Sequence, residues 1–267
     1  MGDTVPEDLD VAIAAARAGA AVVAAGFGGE VETEYNSRFD PVTAVDRASE
    51  FAILAVLTEH GPNDGVLGEE GTDTGGDGRR WLIDPLDGTV NFVHHIDQVA
   101  VCVALCDGED VLAGVVLDVI RDELFAAVAG GGATLDGAPI TVSTTHELAA
   151  SVIATGFPYN HDRYADALMP SLAAVLANVA GIRRFGSAAL DLCWTACGRF
   201  DGYYEYSLKP WDIAAALLVV NEAGGVTTDP WGNPLHPYRP HAVAANPAIH
   251  EPLRQLVEST VPGHLRP

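Results

Sequence analysis

Lysine is almost missing from this 267-residue chain. Lys209 is the single lysine, and Lys and Arg together number 14 against 37 Asp and Glu, which leaves a formal charge of −23. The shortage argues against a nucleic-acid partner, because phosphate backbones need clustered cations and only Arg79-Arg80 and Arg183-Arg184 stand as basic pairs. The acids are spread along the sequence rather than gathered in a tail, a pattern that keeps a protein soluble where salt screens its self-repulsion. It fits a salt-rich cytosol or a merely acidic mesophile. No run of eighteen uncharged apolar residues appears, and Asp3, Glu7, Asp8 and Asp10 stand where a secretory leader would carry Lys or Arg. A soluble, cytoplasmic protein with no membrane partner is expected.

Repeats and low-complexity segments are absent, and so is a Gly-x-x-x-x-Gly-Lys-Ser/Thr loop, which excludes a P-loop enzyme. Cysteine is sparse: Cys102 with Cys106, and Cys193 with Cys197. Zinc motifs pair Cys two to four residues apart and then repeat with His at matching spacing, and these four lie in an apolar strand and an apolar helix, so they are read as buried, reduced thiols.

An apolar content of 48% is enough for a real core. Apolar residues recur at helical spacing from Val5 to Phe27, with Asp3 or Thr4 as cap, and a second helix fits Pro41 to Glu59, capped by Asp40 and stopped by Gly61-Pro62. Short β-rich runs follow at Arg80 to Asp84, Gln98 to Cys106, Val111 to Val119 and Leu124 to Val128, which read as antiparallel hairpins. Beyond Thr141-Val142-Ser143 strands and helices alternate: strand Val152 to Thr155, helices Arg163 to Asn178 and Ser187 to Cys197, strand Gly202 to Tyr206, helix Trp211 to Ala223, strand Ala242 to Ala245, helix Ala248 to Glu258. That order predicts a mixed sheet covered by helices, with a lobe boundary near residue 145 separating residues 1–145 from 146–267.

The densest signal is Trp81-Leu82-Ile83-Asp84-Pro85-Leu86-Asp87-Gly88-Thr89, where an apolar strand meets two carboxylates three residues apart. Side chains at i and i+3 of a strand point to opposite faces, so Asp84 and Asp87 converge only if the backbone folds between them. Pro85 and Gly88 supply that fold. Two hard oxygen ligands at a strand end, before a polar turn and a helix start, suggest a magnesium site beside an anion cradle.

Such a site needs further acids. Gly68-Glu69-Glu70-Gly71 follows the apolar run Gly65-Val66-Leu67, Trp211-Asp212 opens an apolar helix, and Asp46 lies one turn into the second helix. Each alone also reads as a cap or a solvated turn residue. Together, Asp84-Pro85-Leu86-Asp87-Gly88-Thr89, the preceding Gly-Glu-Glu and the later Trp-Asp resemble the inositol monophosphatase family of magnesium-dependent, lithium-sensitive phosphatases. The resemblance runs from Asp40-Pro41-Val42-Thr43-Ala44-Val45-Asp46 to about Asn246. Gly186-Ser187-Ala188-Ala189-Leu190-Asp191-Leu192, Gly198 to Glu205 and Lys209-Pro210-Trp211-Asp212 are similar to its bacterial branch.

The resemblance implies an α+β to α/β architecture, a layered α-β-α-β-α sandwich with an N-terminal antiparallel sheet and a C-terminal mixed sheet, usually as a homodimer. It implies two or three Mg²⁺ ions on Glu69, Asp84, the Leu86 carbonyl, Asp87 and Asp212. Thr89 and Glu69 would orient the attacking water, with Asp46 supporting Thr89. The N–H groups of Gly88 and Thr89 would hold phosphate oxygens, while Gly186, Ser187, Ala188 and Glu205 would meet substrate hydroxyls. The implied substrate is a small polyol phosphate ester, inositol 1-phosphate first and histidinol phosphate second; relatives also take fructose 1,6-bisphosphate or nucleotide bisphosphates.

Departures stand beside the match. Glu34 to Phe39 lacks the lysine many members carry there, leaving Arg38 as a substitute or the loop away from phosphate, and His95 and Asp97 replace the usual Arg and Pro. His94 and His95 read as packing residues, since Mg²⁺ prefers oxygen. A haloacid-dehalogenase-like phosphatase would need its two Asp only two residues apart. A catalytically silent regulator or scaffold would have no need to hold four acids together against their repulsion.

Overall fold

The computed structural model describes residues 5–30, 32–60, 64–75, 78–262 and 265. The caps expected at Asp3 or Thr4 and the stop at Gly61-Pro62 lie outside these residues.

Helix α1 (Val5–Gly26) buries Ala12, Ala15, Ala16, Ala20 and Val23, a stripe at helical spacing. Its segment Glu7–Gly26 has the length and hydropathy to cross a membrane, yet here the stripe packs on the second helix and the large sheet. A hairpin follows, β1 (Thr33–Ser37) with β2 (Asp40–Thr43), and then α2 (Ala44–His60). The helix expected from Pro41 capped by Asp40 therefore begins three residues later. Thr43 is the residue that closes its first turn: its backbone N–H donates to Asp46 Oδ2 at 2.9 Å, and its hydroxyl accepts from the Val45 N–H at 3.1 Å. Pro41, lacking an N–H, sits in the strand instead.

Strands β3 (Gly65–Gly68), β4 (Asp73–Thr74) and β5 (Arg79–Asp87) precede a short helix α3 (Thr89–Val93). The chain then winds through β6 (Ala100–Asp107), β7 (Asp110–Asp118), β8 (Glu123–Val128), β9 (Gly132–Leu135) and β10 (Ala138–Pro139). These make an eight-stranded sheet in the order β10-β9-β8-β7-β6-β5-β3-β4. From β5 to β8 it is the antiparallel set of hairpins read from the sequence, which β9 and β10 extend; β3, read there only as a short apolar run, pairs parallel with β5. The parallel pair matters because it brings two carboxyl-terminal strand ends to the same edge.

The second sheet comprises β11 (Val152–Thr155), β12 (Gly181–Arg183), β13 (Gly202–Tyr206), β14 (Val226–Thr228) and β15 (His241–Ala245), in the order β12-β11-β13-β15-β14. It is mixed as expected, with β11 parallel to β12 and β13, and β15 antiparallel to β13 and β14. Helices α4 (His161–Leu176) and α7 (His250–Thr260) cover one face of this sheet. Helices α5 (Ala188–Ala196) and α6 (Pro210–Glu222) lie between the two sheets in one continuous apolar core. The result is the layered α/β arrangement, helix, sheet, helix, sheet, helix.

The middle layer is close-packed because α6 is made of small residues. Ala214, Ala215 and Ala216 are buried, and a Cβ at Gly114 of β7 would come within 2.8 Å of the Ala215 carbonyl. That flush contact fixes where the first turn of α6, and hence Asp212, meets the large sheet.

Candidate active site

Asp84 and Asp87 converge through a bulge rather than a strand end. β5 does not stop at Asp84; it continues to Asp87, but between the pairs Asp84↔Cys102 and Asp87↔Ala100 two residues of β5, Pro85 and Leu86, face the single Val101 of β6. The extra residue restores parity and turns both carboxylates to the same side. Pro85 has no N–H to lose from the ladder, and Leu86 N–H donates to Asp84 Oδ1 at 3.0 Å, closing a tight local turn. Gly88 then takes φ 92°, and a Cβ there would meet the Gln98 carbonyl at 2.7 Å, so glycine is required on both counts.

The parallel register Gly68↔Ile83 delivers Glu69 beside Asp84, one residue beyond each strand's paired segment. Glu50 ties down the turn that follows, accepting from Glu70 N–H at 3.0 Å and the Thr72 hydroxyl at 2.5 Å. Asp212 arrives from the first turn of α6, where its Oδ2 also accepts the Lys209 N–H at 2.8 Å. It is thus a helix cap and a wall residue at once.

All these groups face one cavity of about 330 Å³, lined among others by Glu69, Asp84, Leu86, Asp87, Gly88, Thr89, Gly186, Ala188, Glu205 and Asp212. Two residues named from the sequence stand behind the wall. Asp46 is buried and lies 3.0 Å from the Thr89 hydroxyl, which is also 3.0 Å from the Leu86 carbonyl, so its one hydrogen serves either acceptor. Ser187 is buried with its hydroxyl donated to Asp87 Oδ2 at 2.5 Å while accepting Leu190 N–H at 3.2 Å. It holds Asp87 and caps α5; the cavity wall at that turn is made by Gly186 and Ala188.

Electrostatically the cavity is short of positive charge. Burial, then the neighbouring acids Asp84 and Asp212, push the Glu69 carboxyl well above its usual range. Asp84 is raised in the same way by burial, Asp87 and Asp212, and the two side chains are hydrogen-bonded to each other. Asp212 is pushed to about 8, mainly by burial and despite the Lys209 N–H. Asp87 reaches only about 6, since Ser187 and the Ala189 and Ala188 N–H groups offset its burial. Glu205, buried on β13 and accepting the Tyr203 hydroxyl at 2.6 Å, is raised to about 7.

Among the described residues no three His, Cys, Asp or Glu side chains are drawn tightly around a single point. The acids instead line a common space, with Glu69 and Asp84 hydrogen-bonded to each other on its wall. The donor set consists of carboxylates and the Leu86 carbonyl, all hard oxygens that suit Mg²⁺. Buried acids that outnumber the two cations on the same wall, Arg184 and Lys209, fit a divalent cation.

Other residues on this wall were not anticipated. Asn36, Ser37 and Asp40 reach it from the first hairpin, Phe157, Tyr159 and Asn160 from the segment after β11, and Arg184 from the end of β12. Arg38 is turned away onto the Phe39 ring, 4.8 Å from its centroid, so the lysine-free hairpin meets the cavity through Asn36 and Ser37 instead. Asn91 bonds the Gln98 carbonyl and, across the layers, the Phe185 carbonyl, each at 2.8 Å; its one signal in the sequence is an amide inside an otherwise apolar short helix. His94 and His95 lie off the cavity wall, His95 with its ring 6.3 Å from that of Phe27. The four cysteines are free; Cys102, Cys106 and Cys193 are buried and Cys197 half-buried.

Comparison with known proteins agrees with this geometry. A profile described as the inositol monophosphatase family matches residues 5–261. The chain is 43% identical over 249 residues to a protein named Nus factor SuhB from Pasteurella multocida, covering 90% of this chain and 92% of that one. It is 41% identical over 230 residues to an inositol-1-monophosphatase from Rhizobium meliloti, covering 84% and 85%. The solved inositol monophosphatase of Anabaena superposes with a TM-score of 0.87 at 35% identity, covering 98% of this chain and 100% of the other.

Proposed function

The chain belongs to the inositol monophosphatase family, and on that footing we propose that it is a Mg²⁺-dependent phosphatase whose preferred substrate is inositol 1-phosphate. Family membership supports a phosphatase activity. The finer reading is supported by one observation above the rest: acids from β5, the end of β3 and the start of α6 face one cavity in which Arg184 and Lys209 are outnumbered by the carboxyls.

In this reading Glu69, Asp84, the Leu86 carbonyl, Asp87 and Asp212 hold two or three Mg²⁺ ions. Bound there, the ions neutralise the phosphate dianion, acidify water and stabilise the departing alkoxide. The chain's own groups do the positioning. Thr89 and Glu69 orient the attacking water, and Asp46 fixes the Thr89 hydroxyl. The N–H groups of Gly88 and Thr89 receive phosphate oxygens. Glu205 accepts hydrogen bonds from the substrate's hydroxyls across the turn at Gly186 and Ala188. Without the ions this acidic wall repels a dianion, so the metal-free protein binds substrate poorly.

The division of labour follows the chain: residues 1–145 carry most of the ion ligands, and residues 146–267 carry Asp212 and the hydroxyl contacts. A homodimer, lithium inhibition and a cytoplasmic location complete the proposal. Histidinol phosphate is the second substrate, because Glu205 would also attract an ammonium. A regulator that keeps the fold is the alternative, prompted by the relative named a Nus factor.

Phosphate release from inositol 1-phosphate, histidinol phosphate, fructose 1,6-bisphosphate and adenosine bisphosphate, with and without Mg²⁺ and Li⁺, tests this. Turnover of inositol 1-phosphate that needs Mg²⁺ and falls with Li⁺ is expected; no turnover of any ester, together with no thermal stabilisation by Mg²⁺, would favour the regulator.

A further inference from the structure

Between Glu205 and Asp212 the chain makes one turn of unfavourable geometry. β13 ends at Tyr206, and Ser207 then takes φ 63°, a left-handed conformation that residues with a Cβ rarely adopt. Ser207 and Leu208 line the cavity between the two acids. Two hydrogen bonds tie this turn to the start of β15. Leu208 N–H donates to the Pro240 carbonyl at 2.8 Å, and Ser207 N–H donates to Nδ1 of His241 at 3.2 Å. The first is backbone to backbone and available to any sequence. The second depends on one side chain.

His241 is 6% exposed, and the rings of Tyr164, Tyr206 and Trp231 stand edge-on around it with centroids 6.2, 5.6 and 5.8 Å away. Because Nδ1 accepts, the ring proton resides on Nε2. Burial keeps the imidazole neutral by lowering its pKa below 6.5, against the opposite pull of Asp229 and the Pro240 carbonyl. The titratable groups facing it are Tyr164 of α4, Tyr206 of β13, and Asp229, which is itself held by Arg239 at 2.8 Å. A protonated ring carries hydrogens on both nitrogens and loses the acceptor that Ser207 needs.

We propose that His241 is a positioning residue: by accepting the Ser207 N–H, its neutral ring holds the left-handed turn that sets the spacing between Glu205 and Asp212. This deepens the phosphatase reading and rests on it, since the spacing matters because both acids serve one substrate. The ring itself stands off the cavity wall. Acid weakens the tether, so substrate binding should loosen at a pH where the ring becomes charged.

The test is a double-substitution cycle read by kcat/KM on inositol 1-phosphate with Mg²⁺. H241F keeps an aromatic ring among Tyr164, Tyr206 and Trp231 but removes the acceptor, and S207G removes the side chain that makes the turn costly. H241F should lose about ten- to a hundredfold, as displaced reacting groups do. The same change made in the S207G background should cost less than about threefold, because the two positions are coupled. Imidazole ¹⁵N shifts of the wild-type protein near neutral pH should show a bare Nδ1. A proton on Nδ1, an undiminished H241F, or an equal loss in both backgrounds would overturn the proposal. Should H241F fail to fold, the nitrogen shifts decide it alone. A wild-type protein that hydrolyses no ester removes the phosphatase reading instead, and the nitrogen shifts with a thermal-stability version of the cycle still judge the tether.

Discussion

The Ser187 hydroxyl donates to Oδ2 of Asp87 across 2.5 Å, joining residues 100 positions apart. With the Ala189 N–H at 3.0 Å on the same oxygen, two groups at the start of α5 hold Oδ2 in place. A proposed ligand on the large sheet is therefore aimed by the helix that faces it. This joint makes the proposed metal site depend on that helix as well as on the sheet.

Removing that hydroxyl tests the joint. Ser187→Ala takes away both the bond to Asp87 and the N-cap of α5, a loss of about 1 kcal/mol for the cap alone. Denaturant unfolding should show a stability loss of that order, and half-maximal activation should need several times more Mg²⁺, as changes behind a ligand commonly cause. An unaltered Mg²⁺ requirement would separate Ser187 from the metal site.

Asp87→Asn and Asp212→Asn each remove one charged ligand from a turn, while an amide of the same shape still accepts the local N–H groups. Both should lower turnover by about a hundredfold or more, the scale of lost transition-state stabilisation at a charged centre, with unfolding transitions near that of the unsubstituted protein. Activity retained in either would count strongly against the ligand assignment.

Acidity should change how much the metal stabilises the fold. The carboxyls of Glu69 and Asp84, and Asp212 at about 8, titrate above their unfolded values, so the metal-free native state holds more protons than the unfolded chain. The contribution of these three carboxyls to stability must then fall as pH rises from about 4 through about 8. Mg²⁺ binds the deprotonated acids, so the Tm increase it gives should be larger at pH 8 than at pH 6. Equal increases at both, measured by scanning calorimetry against a chelator, would contradict the assignment of these acids as a metal site.

Gly156 packs against Glu205: a Cβ there would fall 1.9 Å from its Oε2. Because the obstacle is the end of a side chain, Gly156→Ala should fold and displace the carboxylate. The KM for inositol 1-phosphate should rise, while Mg²⁺ dependence stays close to that of the parent. Glu205→Gln should likewise alter the ranking of esters more than the metal requirement; an equal loss across all esters would remove its role in recognition.

The acids were legible because their chemistry is local to short motifs: Asp84 and Asp87 with Pro85 and Gly88, Glu69 after an apolar run, Asp212 before one. Strands 152–155 and 202–206 were equally plain, since a buried strand announces itself by composition. Parallel pairing of β3 with β5 was not, because pairing partners are chosen by packing across the layers rather than by either strand. Nor was the β1–β2 hairpin, whose exposed strand has little apolar alternation. Arg184, Tyr159 and Asn160 reach the cavity from loops, and a loop's destination depends on the elements it joins. Ser187 was found by its motif but turned the other way, since a hydroxyl's partner is decided by its neighbours in space.

The bulge in β5 also limits what kinds of mutation this gene can tolerate. Between Asp84 and Asp87 the side chain of Leu86 is buried in the apolar core and can change only to another apolar group of similar size, and the number of residues cannot change at all. Deleting or inserting a single codon there would turn Asp87 toward the opposite, helix-packed side of the sheet and strand a carboxylate in hydrocarbon. Length polymorphism, harmless in the exposed hairpins of the same sheet, is closed to this one segment.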